Sequence, residues 1–192
     1  LTLYEGDLVA AGEGGWIHFI DLDGEDHARL LTVTGGKPYG VLGTPDGLYY
    51  TLASAGRVQR VAGGVFESFA VADPRGLALL PDGRVAVTRW RSIDRIGQIS
   101  VLSPGLAPEA WTLPFDPQAS SDTEIGGVPN WLNQMVVSPT GEEMVVPALQ
   151  ANVGEGLFLD GTRPQHDTAL RAIAAFMDPR TGESRRRKQF DN

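Results

Sequence analysis

One stretch of this chain lies over another after a shift of 36 residues, and that repeat limits the fold more than any other feature of the sequence. Lys37-Pro38-Tyr39-Gly40-Val41-Leu42-Gly43-Thr44-Pro45-Asp46-Gly47 aligns with Asp73-Pro74-Arg75-Gly76-Leu77-Ala78-Leu79-Leu80-Pro81-Asp82-Gly83, and each sequence continues into a second apolar run. A third copy spans 134–146, with Ser138-Pro139-Thr140-Gly141 at the turn and Gln134 where Gly40 and Gly76 stand. Proline presets φ at the start of a turn and glycine accepts positive φ at its end, so each copy reads as strand, tight turn, strand. Two further runs follow the copy that begins at Lys37, 56–61 and 65–71, joined by the turn Ala62-Gly63-Gly64. The segment before Lys37 lacks a clear Pro-Asp-Gly but keeps the later half: 16–21, a turn at Asp23-Gly24, and 27–33.

Four short antiparallel strands, repeated at about 36 to 45 residues, predict an all-β propeller built of four-stranded blades. The divisions fall near 1–36, 37–72, 73–127 and 128–192. A β-sandwich is the competing architecture, but it does not require the same turn chemistry to recur at one offset. About four blades are present, and closed four-bladed rings exist.

Antiparallel neighbours reverse at every turn, which sorts the loops. With strands A to D numbered outward in each blade, the A–B and C–D turns share one rim, and the B–C and D–A connections share the other. The second blade has a minimal B–C loop, 53–56, whereas the third inserts 89–97, the next D–A connection runs over 114–129, and the fourth B–C loop over 147–168. All three insertions fall on one rim. Long loops in compact domains carry function more often than tight turns do, so the candidate binding residues are Arg89, Trp90, Arg91, Asn130, Trp131, Asn133, Gln134, Asp160, His166 and Arg171. The arginines offer bidentate hydrogen bonds to carboxylates or anchor the loops through Asp94, Asp160 or Asp167; the tryptophans suit contact anchors or packing between blades.

The chain contains no cysteine, which excludes disulfides, thiolate zinc sites, a thiol nucleophile and covalent haem attachment within it. His166 with Asp160 and Asp167 has the chemistry of a metal group, but no zinc spacing accompanies them, and no metal site is assigned. Gly-x-Ser-x-Gly is absent, Gly12-Glu13-Gly14-Gly15 reads as a turn, and no catalytic residue is assigned. A formal charge of −8 argues against a nucleic-acid partner, and Arg185-Arg186-Arg187-Lys188 reads as a solvated strand face. No apolar run reaches a membrane-spanning length, and residues 1–5 lack the basic and apolar regions of a signal peptide.

The turn Ser138-Pro139-Thr140-Gly141, preceded by Pro129-Asn130-Trp131-Leu132-Asn133-Gln134, resembles the YVTN-type propellers of bacteria, many of them exported. From Asn152 through Asp160-Gly161-Thr162 to Arg171-Ala172-Ile173 the chain is similar to propellers joined to a cytochrome c peroxidase-like domain. Ser-Pro-Asp-Gly is the more usual turn in that family, and Cys-x-x-Cys-His is missing here. The resemblance implies a periplasmic or extracellular propeller of about six to eight blades, of which these four are part of the larger ring, with no cofactor in this chain and haem expected only in an adjoining domain.

These readings lead to a scaffold or binding module whose insertion rim contacts a protein partner or an adjoining domain. The alternative is the propeller part of a periplasmic redox enzyme, cytochrome c peroxidase-like or dehydrogenase-like, with its cofactor outside this chain. An enzyme should gather titratable groups around a metal or cofactor, and Arg and Asp beside one isolated His favour binding. A purely structural repeat would carry uniform loops, which the uneven insertions are not.

Overall fold

The computed structural model describes residues 1–12, 14–22, 29–33, 35–117, 126–151 and 170–190. The strands group into four antiparallel sheets that follow one another along the chain. The first holds β1 (Thr2–Tyr4), β2 (Asp7–Gly12), β3 (Trp16–Asp21) and β4 (Arg29–Thr32) in that order. The second holds β5 (Pro38–Thr44), β6 (Gly47–Leu52), β7 (Arg57–Ala62) and β8 (Val65–Ala70). The third holds β9 (Pro74–Leu79), β10 (Val85–Arg89), β11 (Gly97–Leu102) and β12 (Glu109–Leu113). In the fourth, β13 (Val128–Asn130) and β14 (Val136–Val137) both pair with β15 (Met144–Ala151), which leads to β16 (Leu170–Met177) and β17 (Ser184–Gln189). The helical content among the described residues is one 3₁₀ turn, Ala53–Ala55, and no helix there is long and apolar enough to cross a membrane.

Burial separates a propeller from a sandwich. In a two-sheet sandwich each sheet hides one face; blades stacked around an axis hide both faces of every inner blade. All six residues of β6 are buried. Leu48, Tyr50 and Leu52 pack with Val9 and Ile17 of the first sheet, while Tyr49 packs with Val85, Val87 and Leu102 of the third. The far side of the third sheet then meets the fourth through Ala86, Ile99, Val101, Leu113, Met144, Val146 and Ile173. Three cores thus lie between consecutive sheets. The array is an open arc of propeller blades, not a closed ring.

The inner strands touch backbone to backbone, which explains the repeated glycines. A Cβ on Gly43 would lie 2.3 Å from the Leu3 carbonyl oxygen; on Gly40, 2.5 Å from the Arg75 carbonyl oxygen; on Gly76, 2.8 Å from Gln134 Cα. At Gly40 and Gly76 the inner strand carries one extra residue against its neighbour, a β-bulge that leaves a backbone N–H without a ladder partner. A buried threonine supplies the acceptor: the Gly40 N–H donates to Thr51 Oγ1 (2.7 Å) and the Gly76 N–H to Thr88 Oγ1 (2.8 Å). The Thr51 hydroxyl in turn donates to the Arg75 carbonyl (3.1 Å), joining the second blade to the third. In the fourth blade both halves of this device are replaced, Gly by Gln134 and Thr by Pro147, and the inner strand breaks into β13 and β14 around residues 131–135.

The tight turns close as their sequences require. Gly6, Gly47, Gly83 and Gly141, at the A–B turns of the four blades, all have positive φ. The opposite rim of the third blade differs: β10 ends at Arg89 and β11 begins at Gly97, so the insertion is 90–96. The fourth B–C loop starts later than the sequence reading placed it, because Pro147 to Ala151 continue β15 in register with β16. Proline is tolerated there since β15 has two neighbours on its inner side, β13 and β14, with a gap between their pairings that contains Pro147.

Candidate functional site

The first residue of the site is Trp90, just past the end of β10. Its backbone ties the start of the third blade to the fourth: the Trp90 N–H donates to the Asp73 carbonyl (2.8 Å), and its own carbonyl accepts the Leu132 N–H (3.2 Å). Its indole stacks on Trp131, ring centroids 6.2 Å apart and 16° from parallel. Asn130, the last residue of β13, supports this arrangement by accepting the N–H groups of Ser92 and Trp131 on Oδ1, both at 3.0 Å. The Ser92 hydroxyl also donates to the Pro129 carbonyl.

Trp131 is held at φ 54°, a conformation that costs a bulky residue about 1–2 kcal/mol. Asp73, Asp94 and Arg95 also have positive φ, so four of the five such non-glycine residues among those described belong to this rim. Strain of this kind persists only where surrounding contacts over-determine it, and it gathers at functional sites. Here the contacts hold an indole that remains 42% exposed.

Three positions that are equivalent in successive blades converge beside this aromatic pair. Tyr39 and Arg75 follow the prolines that open β5 and β9, and Asn133 precedes Gln134 in the broken inner strand of the fourth blade. The Tyr39 hydroxyl donates to Asn133 Oδ1 (2.6 Å), spanning from the second blade to the fourth. The Arg75 guanidinium lies over both the Tyr39 ring (4.8 Å) and the Trp90 ring (5.3 Å). Below them an open depression of about 540 Å³ lies between the second and third blades, lined by Lys37, Pro38, Tyr39, Ala53, Ser54, Asp73, Arg75 and Arg91. Asp73 pairs closely with Arg91 (2.8 Å) and loosely with Arg75 (3.9 Å). The bond to Asp73 holds the Arg91 guanidinium above its ordinary pKa, so it stays a cation.

Of the residues singled out from sequence, Trp90, Arg91, Asn130, Trp131 and Asn133 come together. Arg91 pairs with Asp73 in place of Asp94, while Arg95 lies over the Phe115 ring (3.9 Å). Arg89 turns to Gln98, donating from Nη1 to Oε1 (2.9 Å), and its buried Nε has no partner among the described residues. Gln134 is exposed, and its backbone packs on Gly76. Arg171 is not a loop residue: it sits on β16 opposite Gln150 and is only 6% exposed. Asp160 and His166 lie outside the described residues, as do His27 and Asp167. Among the described residues no three His, Asp or Glu side chains gather as a metal-holding group. Tyr39, Asp73 and Arg75 were missed; the signal that could have found Tyr39 and Arg75 is the shared Pro-x-Gly, in which x sits at the rim end of the inner strand.

No protein family matches the chain, and no curated protein matches it. Among solved structures the chain is similar to a catalytically inactive virginiamycin B lyase from Staphylococcus aureus, solved with quinupristin: 13% identity, TM-score 0.48, covering 100% of this chain and 73% of that one. At that score the likeness adds nothing to the propeller architecture, which rests on the strand order and the two-sided burial of the inner blades.

Proposed function

We propose that this chain is a propeller-type binding module whose B–C and D–A rim contacts a protein partner or an adjoining domain. The observation that carries the reading is Trp131, a half-exposed indole kept in a left-handed backbone and stacked on Trp90. The contacts of Asn130 and Trp90 keep this strained indole presented to solvent, and aromatic anchors of this kind dominate contact energies. The surrounding Arg75, Arg91, Tyr39 and Asn133 supply polar groups of the kind that surround such anchors. Assignment to the YVTN type, export from the cytoplasm and an attached peroxidase-like domain are proposals that rest on the motif likeness of 129–141 and 152–173 alone.

The test compares Trp131→Gly with Leu106→Ala, an exposed apolar residue (67%) on the opposite rim. Glycine removes the indole and relieves the backbone, so loss of about 0.5–1.5 kcal/mol of stacking is offset by the strain released and stability should change by less than about 1 kcal/mol. Proteins retained by the immobilised wild type and by Leu106→Ala should be lost with Trp131→Gly at unchanged melting temperature. Equal retention by all three would contradict the proposal.

A further inference from the structure

We infer that the depression between the second and third blades receives a carboxylate side chain of an extended, acidic segment of the partner, with Arg75 as the principal receptor; this rests on the rim reading above. Arg75 is four-fifths covered, its side chain 21% exposed, yet its guanidinium donates no hydrogen bond to any described residue. Its contacts are two aromatic faces and Asp73 at 3.9 Å, the outer limit of an ion pair. Five N–H donors in a planar fork are thus oriented by Tyr39 and Trp90 and left unfilled, and a carboxylate accepts two of them in parallel. Orientation by the rings is preorganisation: little rotamer freedom remains to be lost when the acceptor arrives.

Charge agrees with geometry. Lys37, Arg75 and Arg91 line the depression against the single carboxylate of Asp73, so an excess of positive charge sits on a chain whose net charge is −8. That local excess suits one or two carboxylates, whereas a polyanion such as nucleic acid would be repelled by the rest of the surface. The walls point to a peptide rather than a small metabolite. Small-molecule sites are enclosed and chiefly apolar. Here Lys37, Ser54 and Arg91 are exposed, and the Trp90–Trp131 shelf continues beside the cations. A segment lying across the rim would place an acid at Arg75 and an adjacent aromatic, proline or leucine side chain on the shelf.

The experiment uses the full chain and an array of fluorescein-labelled hexapeptides pairing Asp or Glu with Trp, Tyr, Pro or Leu, each with its Asn or Gln counterpart. Anisotropy should show binding of acidic peptides over their amide counterparts, weakening as NaCl is raised. Arg75→Gln should weaken it by about tenfold or more, the loss expected for a charge-assisted hydrogen bond. Arg75→Lys, which keeps the charge and loses the fork, should fall between. Succinate should compete only weakly. Equal binding of acid and amide peptides, no peptide binding at all, salt-insensitive binding, or displacement by succinate as effectively as by peptide would each overturn the inference. If Arg75→Gln fails to fold, Arg75→Lys and the salt dependence of the wild type decide. Loss of the partner with Trp131→Gly but full retention with a folded Arg75→Gln would remove the carboxylate receptor and leave the rim reading intact; retention with both would remove the two together.

Discussion

Replacing Thr51 by valine removes a hydroxyl and leaves the shape of the side chain almost unchanged, so it isolates the polar link between the inner strands. Thr51 is 0% exposed, accepts the Gly40 N–H and donates to the Arg75 carbonyl. With valine both groups lose their partner inside the protein. Each unsatisfied buried group costs about 1–3 kcal/mol, and the added methyl returns about 1 kcal/mol, so the net destabilisation should be about 2 kcal/mol. For a domain of this size that lowers the melting temperature by about 4–8 °C. Thr88→Val removes the acceptor for the Gly76 N–H alone while gaining the same methyl, and should cost well under half as much, about 0.5 kcal/mol. Urea denaturation should show a lower midpoint at an unchanged slope, ranking Thr51→Val below Thr88→Val, with Thr51→Ser retaining more stability than Thr51→Val. A Thr51→Val chain within about 0.5 kcal/mol of wild type would refute the claim that this hydroxyl joins the blades.

Gly43→Ala should destabilise by about 2–3 kcal/mol in the same assay, because its Cβ would meet the Leu3 carbonyl at 2.3 Å and Tyr4 Cβ at 2.8 Å. Gly63→Ala, with φ +54° and open space around it, should cost about 1 kcal/mol from backbone conformation alone. Asp178 accepts the N–H groups of Arg180 (2.8 Å) and Thr181 (3.2 Å) and a guanidinium bond from Arg185 (2.6 Å). These bonds, the Arg180 N–H foremost, hold its carboxyl below the ordinary carboxylate range. Its contribution is therefore present above the unfolded-state value and is lost as pH falls through the lower folded-state value. Thermal melts on acidification should show a shallower loss for Asp178→Asn than for wild type, and identical slopes would contradict the assignment.

How much of this was legible beforehand follows from which constraints are local. Turn chemistry is local, so Pro45-Asp46-Gly47 and Pro81-Asp82-Gly83 marked the A–B turns and the 36-residue offset marked the blades. The pairing of Gly40 with Thr51 and of Gly76 with Thr88 was present in the aligned copies, but its meaning required the bulge, which no propensity announces. Loop parity placed Trp90, Arg91, Asn130 and Trp131 on one rim, and in the structure they lie together. It could not name Tyr39 or Arg75, which lie at strand ends and meet Trp90 and Asn133 only because the arc curves. Arg171 was misplaced for a related reason: a charged residue after a long insertion reads as loop, and its burial opposite Gln150 becomes visible only once β15 and β16 are in register.

Amide hydrogen exchange of the free chain and of the chain carrying its retained partner locates the contact surface. New protection is expected at 37–39, 73–75, 90–96 and 130–134, the segments that bear Tyr39, Arg75, Trp90 and Trp131. No change is expected at the A–B and C–D turns, 45–46, 63–64, 81–83, 103–108 and 178–183. Protection confined to those turns, with exchange at Trp90 and Trp131 unchanged, would place the contact surface on the opposite rim and contradict a binding role for the Trp90–Trp131 shelf.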